Sequence, residues 1–111
     1  MKAKDILDLS NFKCHTDEAT LLNEFEGAYA SDLLSMVVSK AKEDNCFITV
    51  QCNMNSIAVA VMTDLRVIIF VHGFEPNKEM IEKANSENIC LLSTSLDTCS
   101  VILLLKENNL L

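Results

Sequence analysis

The sequence has too few glycines and prolines for a loop-rich or disordered chain, and it has no tryptophan. Two glycines and one proline occur in 111 residues, of which half are apolar. Disordered segments are poor in apolar residues, and low-complexity segments are often rich in glycine and proline. The chain therefore predicts one domain, residues 1–111, that buries enough apolar surface to fold without disulfides or metals.

Basic residues are also scarce. Nine lysines and arginines stand against 16 acidic residues, which gives a net charge of −7. Because nucleic acids and anionic membranes are bound mainly through lysine and arginine, we expect no nucleic acid and no membrane among the partners. No apolar run approaches the roughly 20 residues that cross a bilayer. The N-terminus lacks the apolar segment of a signal peptide, so we expect a cytoplasmic protein.

The cysteines lack the spacing of a metal knuckle or a redox motif. They are Cys14, Cys46, Cys52, Cys90 and Cys99, an odd number with no C-x-x-C pair. Cys46 and Cys52 flank a predicted strand, which would hold them about 20 Å apart, too far for a disulfide. We interpret the thiols as reduced, small apolar side chains in a reducing compartment, and we expect no metal and no cofactor.

Short apolar runs alternate with segments of helical periodicity. Phe47–Gln51, Val67–Val71 and Ile89–Ser93 are apolar on both faces, which is typical of strands in a parallel sheet covered on two sides. The helical segments are Asp32–Lys42, Asn53–Met62, Pro76–Asn88 and Leu96–Asn108. This order predicts an α/β fold with a mostly parallel sheet of four to five strands and helices on both faces.

The composition of the helical segments predicts their ends and their burial. Ser31 or Asp32 is expected to cap the first segment, and Pro76 to lie in the first turn of the third. Asn53–Met62 is apolar almost all round and should be buried on two sides. Val101–Leu105 cannot turn all five apolar side chains to one core, which indicates a partner surface. The apolar face of the first segment is predicted to comprise Leu33, Leu34, Val37, Val38 and Ala41.

One recognisable motif is Gly27-Ala28-Tyr29, which is followed after one residue by Ser31-Asp32-Leu33-Leu34-Ser35. Four later segments belong to the same overall pattern of residues. The further segments are Ile48–Gln51, Met54–Ala60, Val67–Pro76 and Leu91–Thr94. Together these segments, which span almost the whole chain, resemble the DRTGG domain family. That family has Gly-Gly-Tyr followed by Ser-Asp-Leu-Leu-Ser.

The resemblance is incomplete at the motif that gives the family its name. Leu22-Asn23 stand where the family has Asp-Arg, Glu26 where it has threonine, and Ala28 where it has the second glycine. Asn53 replaces a family histidine. The resemblance implies a domain similar to the N-terminal domain of HPr kinase, of a kind that is fused to catalytic or nucleotide-sensing domains. Kinase activity is not expected, because the chain has no G-x-x-x-x-G-K-[ST] motif.

Polar residues follow each predicted strand. In a parallel α/β sheet, ligands bind beyond the carboxyl ends of the strands, where helix N-termini can hold a phosphate. The candidate ligand-binding residues are Ser31, Asp32, Gln51, Asn53, Asn55, His72, Gly73, Ser93 and Thr94. The alternative is that these side chains only cap helices.

Three hypotheses on function follow. The first is a non-catalytic regulatory module, homodimeric, that binds a small ligand such as an adenine nucleotide at the carboxyl edge of the sheet. The second is a protein-interaction adaptor without a small-molecule ligand, docked on a larger enzyme. The third is an enzyme, which we do not expect. Cys14 and His15, for example, are adjacent on a predicted strand and would point to opposite faces.

Overall fold

The centre of the molecule is a five-stranded sheet. Its strands are β1 (Lys13–Cys14), β2 (Ala28–Ala30), β3 (Cys46–Thr49), β4 (Val67–Phe70) and β5 (Cys90–Ser93). In the computed structural model, which describes all of residues 1–111, their order is β1-β5-β4-β3-β2. β2, β3, β4 and β5 are parallel, whereas β1 runs antiparallel to β5. The predicted mostly parallel α/β fold is confirmed.

Helices cover both faces of the sheet, as predicted. They are α1 (Ala3–Leu7), α2 (Leu34–Lys40), α3 (Met54–Thr63), α4 (Lys78–Ser86) and α5 (Thr98–Glu107), with a 3-10 helix at Glu18–Leu22. Alternate strand residues enter two separate cores, because successive side chains point to opposite faces. Ile48 and Leu92 pack with α1 and α5, and Phe47 and Leu91 pack with α2, α3 and α4. No helix combines the length and the apolar character that a membrane span requires.

The predicted cap of α2 is wrong. Leu33 is the N-cap residue and provides no side-chain hydrogen bond. The carboxylate of Asp32 instead accepts hydrogen bonds from the Val50 N–H at 2.8 Å and the Thr49 hydroxyl at 3.0 Å. The Ser31 hydroxyl accepts from the Leu33 N–H at 3.2 Å, outside the helix. The Asp32 carboxylate therefore forms tertiary hydrogen bonds with the end of β3 instead of capping α2, which is the role that the local sequence pattern predicts.

The predicted position of Pro76 is also wrong, by two residues. α4 begins at Lys78, and its N-cap residue is Asn77, whose side chain accepts from the Met80 N–H at 2.9 Å. Pro76 precedes the cap and is buried. An asparagine cap satisfies a free helix N–H group directly, so the proline is not needed inside the first turn.

α3 is buried on one side, not on two as predicted. Ile57 and Ala60 face the sheet, whereas Met54 and Val61 are each 39% exposed and Met62 is 69% exposed. The exposed residues recur at helical spacing, so they form one stripe. We call this stripe, Met54, Ala58, Val61 and Met62, the α3 stripe; it contains no charged residue.

Two other apolar segments are also divided between core and solvent. In α2 only Val37 is fully buried, while Leu33 and Val38 of the predicted apolar face are exposed. In α5, Val101 lies in the core and Leu103 is 57% exposed. The expectation that Val101–Leu105 cannot all face one core is therefore confirmed.

Candidate functional site

The candidate residues all lie at the carboxyl edge of the sheet, where the structure divides them into two groups. The first group follows β2 and β3 and consists of Ser31, Asp32, Gln51, Asn53 and Asn55. The second group ends or follows β4 and β5 and consists of His72, Gly73, Ser93 and Thr94. β3 and β4 are neighbours in the sheet, so the two groups adjoin.

The first group is joined by hydrogen bonds within itself. The Gln51 amide donates to the Asp32 carbonyl at 3.3 Å and accepts from the Asn53 amide at 3.2 Å. Asn53 caps α3 by accepting from the Asn55 N–H at 3.0 Å. Asn55 is the one residue of the group whose side chain makes no hydrogen bond in the protein, and this side chain is exposed. Asn53 is thus the only helix cap of this group, while Asp32 and Gln51 join the connections after β2 and β3 to each other.

The second group contains a tight turn after β4, from Val71 to Phe74. His72 and Gly73 have φ angles of 63° and 80°, and the Phe74 N–H approaches the Val71 carbonyl at 3.5 Å. Two successive left-handed residues are typical of a type I′ turn, and glycine adopts this conformation without strain. The Gly73 N–H donates to the Thr94 carbonyl at 2.9 Å, which fixes the turn against the end of β5.

β1 adds residues to the second group that the sequence did not assign to a site. Lys13 lies opposite Ser93 and forms an ion pair of 2.9 Å with Glu75, 62 residues away in the sequence. The Nε2 atom of His15 lies 2.7 Å from the Ser93 hydroxyl oxygen. A pocket of about 270 Å³ opens beside these contacts. It is lined by Asn11, Phe12, Lys13, Gly73, Glu75, Ser93, Thr94 and Ser95, and we call it the β1–β5 pocket.

The charges at the β1–β5 pocket are closely coupled. The hydrogen bond and the charge of Lys13 lower the pKa of Glu75, so this carboxylate is ionised at neutral pH. Burial lowers the pKa of His15; Glu75 opposes this effect and Lys13 adds to it. Burial, with a contribution from Glu75, raises the pKa of Cys52 to about 11. Glu75 therefore influences the pKa of His15 beside the pocket and that of Cys52, which lies between Gln51 and Asn53.

The largest cavity, about 870 Å³, lies at the opposite edge of the sheet and was not predicted. It is lined by Met1, Lys2, Leu22, Asn23, Glu24, Phe25, Glu26, Gly27, Asp44, Arg66, Leu110 and Leu111. The Asn23 amide donates to the carbonyls of Arg66 at 3.2 Å and Asn88 at 2.7 Å. Gly27 has a φ of 69°, and a β-carbon there would lie 3.3 Å from the Asn45 amide. Asn23 and Gly27 thus have structural roles, and the lining carries carboxylates beside its two cations.

Comparisons with known proteins agree with this fold. The DRTGG domain family model matches residues 15–108, while the search of curated proteins gives no match. A similar solved structure contains the CBS and DRTGG domains of the regulatory region of Clostridium perfringens pyrophosphatase, complexed with the activator diadenosine tetraphosphate. The TM-score is 0.77 at 19% identity, over 94% of this chain and 45% of that chain. This chain therefore spans less than half of that structure's length.

Proposed function

This chain belongs to the DRTGG domain family, and from that premise we propose that it is a regulatory module that binds a small anionic ligand. The observation that carries the proposal is the β1–β5 pocket, which is lined by Lys13 and by three residues with hydroxyl groups, Ser93, Thr94 and Ser95. Adenine nucleotides are the proposed class, because the similar pyrophosphatase region is complexed with diadenosine tetraphosphate, its activator.

The groups in the pocket suit a phosphate. The Lys13 side chain is 63% exposed, and the backbone N–H of Ser95 makes no hydrogen bond within the protein. A phosphate that contacts both would replace Glu75 as the partner of Lys13, since charge-assisted hydrogen bonds are strong. The pocket volume of about 270 Å³ lies just below the roughly 300–1,000 Å³ of small-molecule sites. It therefore suits a phosphate and its sugar better than a whole dinucleotide.

Calorimetric titration of the full chain with AMP, ATP and diadenosine tetraphosphate tests this proposal. Lys13→Met should weaken binding roughly tenfold, which corresponds to about 1.4 kcal/mol. Glu75→Gln should tighten binding, because the competing carboxylate is gone. Lys42→Met, which removes an exposed lysine on the loop after α2, is the matched control and should bind like the unmodified chain. Absence of binding, or equal affinities for the two lysine variants, would contradict the proposal.

We also propose that the module is homodimeric and modulates a larger enzyme without catalysing a reaction itself. The α3 stripe supports the dimer, since exposed apolar patches are typical of interaction surfaces. Five free thiols support a reducing, cytoplasmic setting.

One observation favours the second candidate, an interaction adaptor without a small-molecule ligand. All side chains of the first group except that of Asn55 already make hydrogen bonds within the protein, so few of them are free for a ligand. An adaptor would show no heat of binding with any of the three nucleotides. The calorimetric titration therefore separates the two candidates directly.

A further inference from the structure

Cys14 and Cys90 lie on the same face of the sheet, across the β1–β5 pair. Cys14 is paired with Leu92, so Cys90, two residues earlier on β5, is its diagonal neighbour on that face. Both belong to the core that α1 and α5 cover. The Cys14 sulfur also lies 3.8 Å from the hydroxyl oxygen of Thr16, which can donate a hydrogen bond to it. The strand register thus brings the two thiols to one side of the β1–β5 pair, beside Thr16, whose hydroxyl contacts that of Thr20 at 2.8 Å.

We propose that Cys14 and Cys90 form a peroxide-sensitive pair, in which Cys14 is oxidised first and Cys90 then closes a disulfide between β1 and β5. No other pair of cysteines shares a strand pairing in this way. Cys46 is fully buried in β3, and Cys99 is exposed at the start of α5.

The two thiols differ in acidity, which assigns their roles. The neighbouring Cys90 thiol lowers the pKa of Cys14 to about 6, against the opposing effect of burial. The same contact and burial raise the pKa of Cys90. At neutral pH Cys14 is therefore the thiolate, which is the nucleophilic form, and Cys90 keeps its proton.

The reaction needs hydrogen peroxide and no other reagent. The Cys14 thiolate attacks one peroxide oxygen, a sulfur–oxygen bond forms, the oxygen–oxygen bond breaks, and hydroxide leaves. Cys90 then attacks the sulfenic sulfur of Cys14; the disulfide bond forms, the sulfur–oxygen bond breaks, and the departing oxygen takes the Cys90 proton to leave as water. Two thiols are oxidised, and after the hydroxide takes up a proton the peroxide has been reduced to two waters.

Closure of the disulfide requires a small movement of β1. Diagonal neighbours on paired strands are roughly 7–8 Å apart, whereas the Cα atoms of a disulfide are usually about 4.4–6.8 Å apart. β1 has two residues and lies at the edge of the sheet, while β5 is paired on both sides. β1 is therefore the strand that shifts. It carries Lys13, so oxidation would also displace the lysine of the β1–β5 pocket, a consequence that rests on the proposed function.

The experiment uses the full chain with Cys99→Ser, which removes the exposed thiol that could link two molecules. Before oxidation, iodoacetamide at pH 7 should modify Cys14 at least about tenfold faster than Cys52. Cys52 is the matched comparison, because it is half-buried like Cys14 but has its pKa raised to about 11. After one equivalent of hydrogen peroxide, mass mapping should show a linked Cys14–Cys90 peptide that dithiothreitol separates.

Three results would overturn the proposal. The first is a disulfide that involves Cys46 or Cys52. The second is oxidation of Cys14 that stops at sulfenic or sulfinic acid while Cys90 can still be alkylated, and the third is an equal alkylation rate for Cys14 and Cys52. In a folded Cys90→Ser variant, which keeps a hydrogen-bond donor beside Cys14 but cannot form a disulfide, dimedone should by contrast trap the sulfenic acid of Cys14. The disulfide mapping in the Cys99→Ser chain, which keeps Cys90, does not depend on that variant. Since no nucleotide is used, the outcome is independent of the proposed ligand.

Discussion

At the scale of single residues, the two histidines show how position decides what one side chain can do. His72 occupies a left-handed position of an exposed turn, and its ring makes no hydrogen bond in the protein. His15 is half-buried, and its ring contacts the Ser93 hydroxyl. His72 was assigned to the site from the sequence and His15 was not, yet His15 is the histidine beside the β1–β5 pocket.

We predict that His15 titrates below its usual pKa of 6.5, because burial and the charge of Lys13 both disfavour the protonated ring. The unfolded chain then takes up the proton at a higher pH than the folded chain. The contribution of His15 to the free energy of unfolding is thus fully present above pH 6.5 and is lost as the pH falls through the folded pKa. NMR titration of the imidazole protons measures this pKa.

His72→Gln leaves one imidazole and so assigns the His15 resonance. Glu75→Gln should move the His15 pKa further down, because it removes the carboxylate that raises it. Titration at or above pH 6.5, or an upward shift in Glu75→Gln, would contradict the electrostatics of the pocket.

Lys13 shows why this part of the site was not predicted. In the sequence, no lysine or arginine falls among the polar residues that follow the predicted strands. β1 pairs antiparallel with β5, and this pairing places Lys13 beside Ser93 and Glu75. A strand of two residues is too short for any periodicity to predict its pairing.

At the scale of elements, burial decides which predictions hold. β3, β4 and β5 are fully buried, so their apolar runs identified them from the sequence. Helix ends were less predictable, because the polar groups near them also have tertiary partners. Asp32, expected to cap α2, bonds to the end of β3 instead, whereas Asn53 caps α3.

We predict that Asn53→Ala lowers the free energy of unfolding by about 1–2 kcal/mol, since an asparagine N-cap contributes about that much. The variant also removes the hydrogen bond to Gln51. Asn55→Ala is the matched control: its exposed side chain makes no hydrogen bond in the protein, and its change should stay within about 0.5 kcal/mol. Urea denaturation measures both variants. Equal stabilities would show that the Asn53 cap does not stabilise α3.

At the scale of the whole molecule, the exposed apolar side chains are unevenly distributed. Leu33 and Met36 are exposed at α2, which packs against α3, the helix that carries the exposed α3 stripe. The net charge of −7 makes two copies repel each other over most of their surface. The α3 stripe has no charge, so two copies can approach there without placing like charges together. This favours a second copy of the chain as its partner.

We predict that the chain is a dimer at high micromolar concentration and that the α3 stripe forms the interface. Met62→Asp should weaken the dimer at least about 100-fold, or about 2.7 kcal/mol, because a carboxylate would be buried without a partner. Leu103→Asp is the matched control: this leucine is similarly exposed, 57% against 69% for Met62, but lies on α5 across the sheet. Sedimentation velocity over a dilution series measures both variants, with circular dichroism to verify folding. A monomeric parent chain would contradict the homodimer, and a dimer lost only in Leu103→Asp would place the interface on α5.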